Sequence, residues 1–517
     1  MMFHDKNVIV CPDWIMSRKL LSKFEESHGH CTRDPWPQLG ITRSSTPDRT
    51  GCLKLGDSVD RLLLDGLESI VEKAHVISDR AQMQNYLADE TAGPVKPKPA
   101  NDLVLVRPAN TQQVSAVLQL ANRHHLAVFP RGGGTGLVGG AVPTHDGIIL
   151  SLERMNRIEI DKENMMAIAE AGATLERLAN TAGQAGLFFP PHPGDENAQF
   201  GGLVATNAGG SRAVRYGVMR NQVKALEIVT ATGEVLSLGG RLHKNNVGYD
   251  LMQLIIGSEG TLAVITKVTL RLYPKFAATA TIILPYSNRD DAMSTVQKIL
   301  QEAGTPLAIE YVSRDLLEMT ATHLGERWPV AVGNCYLIII GAEASRDQLI
   351  PQSVRIREIC RQNGGFEPFY VESQRDQDKI LRIRSNIYFA LKNETVDILD
   401  ISVPVSELVR VIDSIEKIAR EDKLFLPVFG HAADGNLHIH IMKREGDTPD
   451  HVKALRNEIY GIAIDAGGVI TGEHGIGKIR TDKIQSCLAK EEIELMKAIK
   501  RVFDPNNVLN PGAKIPA

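Results

Sequence analysis

The sequence predicts an α+β protein of more than one domain, with a nucleotide-binding part built from glycine-rich loops followed by a second α+β domain. Three observations lead there. A chain of 517 residues is too long for one core, so two or three domains are expected. Its glycines bunch in residues 130–140 (PRGGGTGLVGG) and again across residues 190–275, between strand-like runs. From about residue 276 to 490 the pattern changes, and helices alternate with strands.

The elements follow in order. A helix is expected over about residues 58–87, ended by GPVKPKPAND (93–102). LVLVRP reads as a strand. TQQVSAVLQLANRHH reads as a helix opened by Thr111, with Val114, Val117, Leu118 and Ala121 at helical spacing. LAVF (126–129) is a short strand leading into the first glycine loop. There Gly134, Gly136 and Gly139 fit G-x-G-x-x-G, a motif that in Rossmann folds opens a helix directly after a strand. No helix is expected here. Ala141, Val142, Pro143 and then Asp146-Gly147 are turn chemistry, and IILSL (148–152) is another strand. Glycine N–H groups turned inward still form an anion-binding nest without a helix behind them. The loop therefore points to a dinucleotide's pyrophosphate in a fold that is not Rossmann, which disfavours a pyridine-nucleotide dehydrogenase.

AIAEAGATLERLANTAGQAG gives strand, turn and helix, with Thr174 as a cap. KALEIVTATGEVLSLG is a hairpin turning at Thr232-Gly233. Helices at 290–303 and 405–421 alternate with the strands ATIILP and YLIIIGA. EEIELMKAIKRVF is an amphipathic helix stopped at Asp504-Pro505.

Composition narrows the function. Lys plus Arg is 58 and Asp plus Glu 62, a net charge of −4 that gives no support to nucleic-acid binding. Cys11, Cys31, Cys52, Cys335, Cys360 and Cys487 are scattered without a C-x-x-C pair, which argues against an iron–sulfur cluster or zinc ribbon. Free thiols in a reducing compartment are expected. No apolar run has bilayer length, and the first residues lack signal-peptide features. A cytoplasmic location is expected, and residues 1–55 read as an irregular extension without chemistry.

Reactive side chains cluster late in the chain. In NLHIHI (436–441), Leu437, Ile439 and Ile441 share one strand face, and His438 and His440 the other. His431 lies upstream across the turn Ala433-Asp434-Gly435, so the chain can double back towards His438. Glu473 and His474 follow between Gly468 and Gly475. Two imidazoles and a carboxylate with positions left open form the pattern of a catalytic divalent metal site. A bare H-x-H, taken alone, is more often a solvated strand face. ILRIRSNIYFALKN (380–393) is helix-like and carries Arg382 and Arg384, which could equally be solvated helix charges.

Six blocks in one order carry a resemblance: PRGGGTGLVGG, GGLVATNAGG (201–210), IGSEGTL (256–262), GHAADGNLH (430–438), GEHGIG (472–477) and FDPNNVLNPG (503–512). Together they resemble flavoproteins of the vanillyl-alcohol oxidase type, in the D-2-hydroxy acid dehydrogenase branch. That branch includes D-lactate dehydrogenases, the glycolate oxidase FAD subunit and D-2-hydroxyglutarate dehydrogenase. The resemblance runs from about residue 100 to 515. It implies an FAD-binding domain in two parts (56–275), an α+β substrate or cap domain (276–490), and a C-terminal helix and tail (491–517) returning to the FAD domain.

FAD is then held by Pro130, Arg131, Gly132, Gly133, Gly134, Thr135, Gly136, Gly139 and Gly140 of the first loop. The second loop contributes Gly201, Gly202, Thr206, Asn207, Gly209 and Gly210, and the third Gly257, Glu259, Gly260 and Thr261. Some relatives tether the flavin through a histidine in the first loop; Thr135 and the absence of His or Cys there imply noncovalent FAD. The resemblance makes His431, His438 and Glu473 the ligands of a divalent metal, with zinc the expectation. It makes His474 the catalytic base and Arg384 the partner of the substrate carboxylate. Ile398, Tyr388 and His440 replace the Lys, Thr and Asn of the 2-hydroxyglutarate enzymes, which favours a smaller monocarboxylate such as D-lactate or glycolate. Electrons would go to a quinone or an electron-transfer protein, with peripheral contact at the inner membrane and a homodimer as further expectations. The rivals are a D-2-hydroxyglutarate dehydrogenase, an oxidase reducing oxygen, and a non-catalytic FAD-binding subunit. Against the last stands the intact His431, His438, Glu473 and His474 set.

Overall fold

The computed structural model describes residues 61–371, 373–446 and 448–516; the expectation for residues 1–55 lies outside them. Among the described residues, three sheets of four or more strands organise the fold. In the first, Leu103–Val106, Gly147–Ser151 and Ala127–Arg131 run parallel side by side, with Val76–Ile77 antiparallel on the edge. Gly147–Ser151 is buried throughout, so it reads as a continuous apolar run rather than an alternating one. The connection 132–146 contains no helix. Because the two strands it joins are parallel, it must run back along the sheet, and it carries the glycines with it.

Two local expectations change. The first helix is only Arg61–Val71: Glu72 takes φ 71°, and Val76–Ile77 pairs with the first sheet instead of extending the helix. The segment beyond lies over the glycine loop, with the Glu90 N–H donating to the Gly136 carbonyl and the Gly139 N–H to the Thr91 hydroxyl. The helix Thr111–Arg123 is capped by Asn110, whose side chain accepts from the Gln113 N–H, and Thr111 is its first residue. Asn caps more strongly than Thr. Thr174 caps Leu175–Gln184 as expected.

The second sheet is antiparallel, in the order Ile158–Asp161, Met166–Glu170, Ala263–Arg271, Val223–Thr230, Val235–Gly239. The third is also antiparallel: Phe369–Val371, Ala278–Tyr286, Cys335–Glu343, Ala308–Ser313, Val428–His431, Asn436–Met442, Thr395–Ser402. Both its faces are covered. Leu437, Ile439 and Ile441 join the core beneath Arg289–Glu302, Leu408–Glu421 and Pro449–Asp465. Phe429, on the opposite face, packs with Ile380, Ile383, Ile387 and Leu391 of Gln374–Ser385 and Ile387–Leu391. The histidine face is therefore buried rather than solvated. After the helix Lys490–Phe503 the tail reaches the first sheet, where the Val128 N–H donates to Val508 and the Asn510 N–H to Val128. Among the described residues no helix is long and apolar enough to cross a membrane.

Candidate active site

Val428–His431 and Asn436–Met442 form a hairpin in which Phe429 stands opposite His438 and His431 opposite Asn436. The two-residue period places Phe429, His431, His438 and His440 on one face. His431 and His438 are diagonal neighbours, with ring centroids 5.4 Å apart and planes perpendicular.

The loop bearing Glu473 and His474 is held against this hairpin by Asp400, a fully buried carboxylate in Thr395–Ser402. Its Oδ2 accepts the N–H of Glu473 (2.9 Å) and of His474 (2.8 Å) and the Thr471 hydroxyl (2.9 Å); its Oδ1 accepts the Asn436 amide (2.7 Å). Glu473 Oε1 then lies 3.4 Å from Nε2 of both His431 and His438, and 4.0 Å from Nε2 of His474. Ligand atoms of a tetrahedral zinc-type centre, each about 2.0–2.1 Å from the ion, stand about 3.4 Å apart. The donor set fits a divalent ion. His431 Nδ1 is bonded to Glu310 Oε1 at 2.7 Å, which leaves Nε2 for ligation. Donor atoms of Asp400, His438, Glu473 and His474 also lie within 4.8 Å of one another. Both Asp400 oxygens are already occupied, however, so His431 makes the better third ligand.

Against the pull of burial, Glu310 and Glu473 hold His431 well above its ordinary pKa, so an arriving ion would displace a proton from this imidazole. Burial opposes ionisation of Glu310, but Arg384 and His431 outweigh it and hold the carboxyl at about 2. Burial pushes His438 and His440 down to about 3, so both are neutral. His440 sits beside the cluster, its Nδ1 2.9 Å from the Thr395 hydroxyl. Arg384 is ion-paired with Glu310 at 2.5 Å and lies 5.0 Å from the Phe429 ring centroid, and its Nε has no protein partner. Arg382 instead pairs with Glu326 on the surface.

Two cavities meet here. The first, with about 1320 Å³ of empty space partly open to solvent, is walled by residues 130–138, the second and third glycine loops and Asn510. The second, about 1300 Å³, lies over the histidine face and includes Arg384, Tyr388, Ile398, His431, His438 and His440. They share Thr135, Leu137, Pro193, Asp195, Glu473 and His474, so His474 stands at their junction.

The first cavity fits a dinucleotide. Among the described residues, the N–H groups of Gly133, Gly134, Thr135 and Gly136 have no protein acceptor. Four adjacent unspent donors make an anion nest. Gly134 has φ 73°, a left-handed backbone that favours glycine, and a Cβ there would have to displace the Arg131 guanidinium. Of the residues expected to hold the cofactor, 130–136, Gly140, Gly201, Gly202, Thr206, Gly209, Glu259 and Gly260 line this cavity. Gly210 lines the second cavity, and Gly139, Asn207, Gly257 and Thr261 line neither. Asn207 accepts from the Arg220 N–H and the Thr261 hydroxyl donates to Ser258, so these two shape their loops. Glu259 accepts the N–H groups of Ile476 and Gly477, clamping the loop that carries His474.

Asp400, Glu310 and Asn510 were not singled out in the sequence. Acids inside the apolar strands TVDILDIS and AIEYVS were the available signal, because an unpaired buried carboxylate is costly. Asn510, whose amide donates to the Glu259 and Gly140 carbonyls, lies in the block FDPNNVLNPG, which does not by itself single it out.

Comparison with known proteins agrees with this architecture. Residues 103–239 match the family described as FAD binding domain, and residues 275–513 the C-terminal domain of FAD linked oxidases. A D-lactate dehydrogenase of Archaeoglobus fulgidus is 40% identical, over 83% of this chain and 94% of its own. Glycolate oxidase subunit GlcD of Bacillus subtilis is 33% identical over 79% and 88%, and a D-2-hydroxyglutarate dehydrogenase of Stutzerimonas stutzeri 30% over 88% and 98%. The solved structure of p-cresol methylhydroxylase with substrate bound shares the fold, with TM-score 0.72 at 17% identity over 88% and 97% of the two chains. The chain belongs to the FAD-linked oxidase family, among relatives that include D-2-hydroxy acid dehydrogenases. It is an FAD-dependent oxidoreductase of the α+β, vanillyl-alcohol-oxidase-type fold expected from its sequence.

Proposed function

We propose that this enzyme oxidises a D-2-hydroxy monocarboxylate, with D-lactate and glycolate the simplest members, to the 2-oxo acid. Electrons then leave for a quinone or an electron-transfer protein. The observation that carries the reading is the place of His474, between a dinucleotide-shaped cleft and a cavity with a metal-type donor set.

Residues 56–275 with the tail 491–517 form the cofactor part, and residues 276–490 the substrate part. When bound, FAD supplies a two-electron acceptor and the divalent ion, zinc by its donor set, polarises the substrate hydroxyl. His431, His438 and Glu473 hold the ion. FAD is held noncovalently, since Thr135 stands in the first loop without His or Cys beside it. Arg384 receives the substrate carboxylate through its planar fork, steadied by Glu310 from behind. His474 takes the hydroxyl proton as general base. Asp400 binds the backbone of both Glu473 and His474, so base and ligand keep one geometry.

The test is the anaerobic visible spectrum of the FAD-loaded protein, before and after D-lactate, glycolate or D-2-hydroxyglutarate, with L-lactate as control. Bleaching by the D-monocarboxylate or glycolate supports the reading. Bleaching by D-2-hydroxyglutarate alone would replace it with the dicarboxylate enzyme, and a spectrum unmoved by all would reject it.

A further inference from the structure

We propose that the second cavity contains an apolar side-chain subsite, so that the preferred substrates are 2-hydroxy monocarboxylates with a branched aliphatic or aromatic group on C3. The proposal rests on reading this cavity as the substrate site and specifies which acids it favours.

Beside the polar cluster, the cavity lining contributes hydrocarbon. Ile340 comes from Cys335–Glu343, Leu381 from Gln374–Ser385, Phe389 from Ile387–Leu391, Ile398 from Thr395–Ser402 and Phe429 from Val428–His431. Five elements thus each contribute an apolar side chain to the cavity lining.

Two of the larger polar groups near this lining are bound to Glu90 rather than aimed at a ligand. The Tyr388 hydroxyl donates to the Glu90 carbonyl at 2.9 Å, and the Lys392 ammonium is bound to the Glu90 carboxylate. His440 is engaged by the Thr395 hydroxyl. Burial holds His192 neutral, its pKa pushed down to about 4. Among the described lining residues Arg384 is the one lysine or arginine, and it is needed at the α-carboxylate. Glu90 and Asp195 also face the cavity. A second substrate carboxylate would therefore lose its water, find no cation and meet like charge.

An apolar substituent would bury area at no such cost. A three-carbon acid offers a single methyl carbon to this lining and leaves most of its apolar side chains uncovered. Each methylene transferred from water to such a wall is worth about fourfold in binding. D-2-hydroxy-4-methylpentanoate, only partly buried, should exceed D-lactate by on the order of tenfold in kcat/KM.

The experiment uses the full chain loaded with FAD and metal, with a dye as electron acceptor. It compares D-lactate, D-2-hydroxy-4-methylpentanoate, D-3-phenyllactate and D-2-hydroxyglutarate, in the wild type and in Leu381→Trp. Leu381 is half-buried on a helix, so the variant should fold. Binding of the matching 2-oxo acids, read from perturbation of the flavin spectrum, provides a measurement independent of turnover. The larger monocarboxylates should lead in wild type, in turnover and in binding, and Leu381→Trp should erase their advantage over lactate. A wild type that prefers lactate, or binds the dicarboxylate best, would overturn the subsite alone. Flavin reduction by none of the acids would overturn the functional reading and the subsite together.

Discussion

Asp400→Asn is the substitution that probes the site's construction most directly. The carboxylate is fully buried and accepts four hydrogen bonds, three of them at Oδ2 from the loop holding Glu473 and His474. Asparagine keeps the size but offers one acceptor oxygen. In its best arrangement that oxygen faces the loop and the NH2 faces Asn436, whose own NH2 already donates to the Ile401 carbonyl. Three charge-assisted bonds become neutral ones, at roughly 1 kcal/mol each, so about 3 kcal/mol is lost before relief from burying a charge is counted. The net destabilisation should be about 1–3 kcal/mol, within reach of a folded protein. Activity should suffer more. A displacement of about 1 Å at a reacting group costs on the order of a hundredfold, so flavin reduction by substrate should slow by about that factor. Asp400 does not line the first cavity, so FAD content should be unchanged. The assay combines thermal melting, flavin-to-protein absorbance and anaerobic rapid mixing. A folded, flavin-replete Asp400→Asn reducing at the wild-type rate would refute the positioning argument.

Other predictions follow from the same geometry. Gly134→Ala forces a left-handed backbone on an L-residue, at about 1–2 kcal/mol, and sets a Cβ against the Arg131 guanidinium; the purified variant should be largely flavin-free, and wild-type yellow colour would contradict this. Replacing both His431 and His438 by Ala should abolish bound divalent metal in elemental analysis while FAD stays; retained metal would move the site elsewhere. Lys478 is pushed down to about 8 by burial, with Asp89 and Glu259 opposing, against about 10.4 for an unfolded lysine. Between those values the folded chain holds fewer protons than the unfolded one, so stability rises with pH through that window. The urea midpoint of wild type relative to Lys478→Met should therefore increase from pH 7.5 to 9.5, and a constant difference would argue against the buried ammonium.

Much of this was legible in the sequence because it is local. Pro143 and Asp146-Gly147 forbid a helix after the first glycine loop, and the alternation in NLHIHI sets the histidines on one face whatever the surrounding fold. What was missed depends on partners distant in sequence. Asp400 gains its meaning from a loop beyond residue 470, and Glu310 from both His431 and Arg384. Glu259 sits in a glycine block yet spends its carboxylate on Ile476 and Gly477, which spacing alone could not reveal. The first helix was overextended because apolar spacing does not register the strand pairing of Val76–Ile77 that ends it.

The central claim is that His474, at the junction of the two cavities, takes the substrate proton. The decisive measurement is anaerobic rapid mixing of His474→Ala, with FAD and metal contents first shown equal to wild type, against a D-2-hydroxy acid that bleaches the wild-type flavin. The account predicts a bound but unreduced flavin, with reduction slowed by about 10²–10⁴-fold, the range of a general base. Bleaching at the wild-type rate would contradict it.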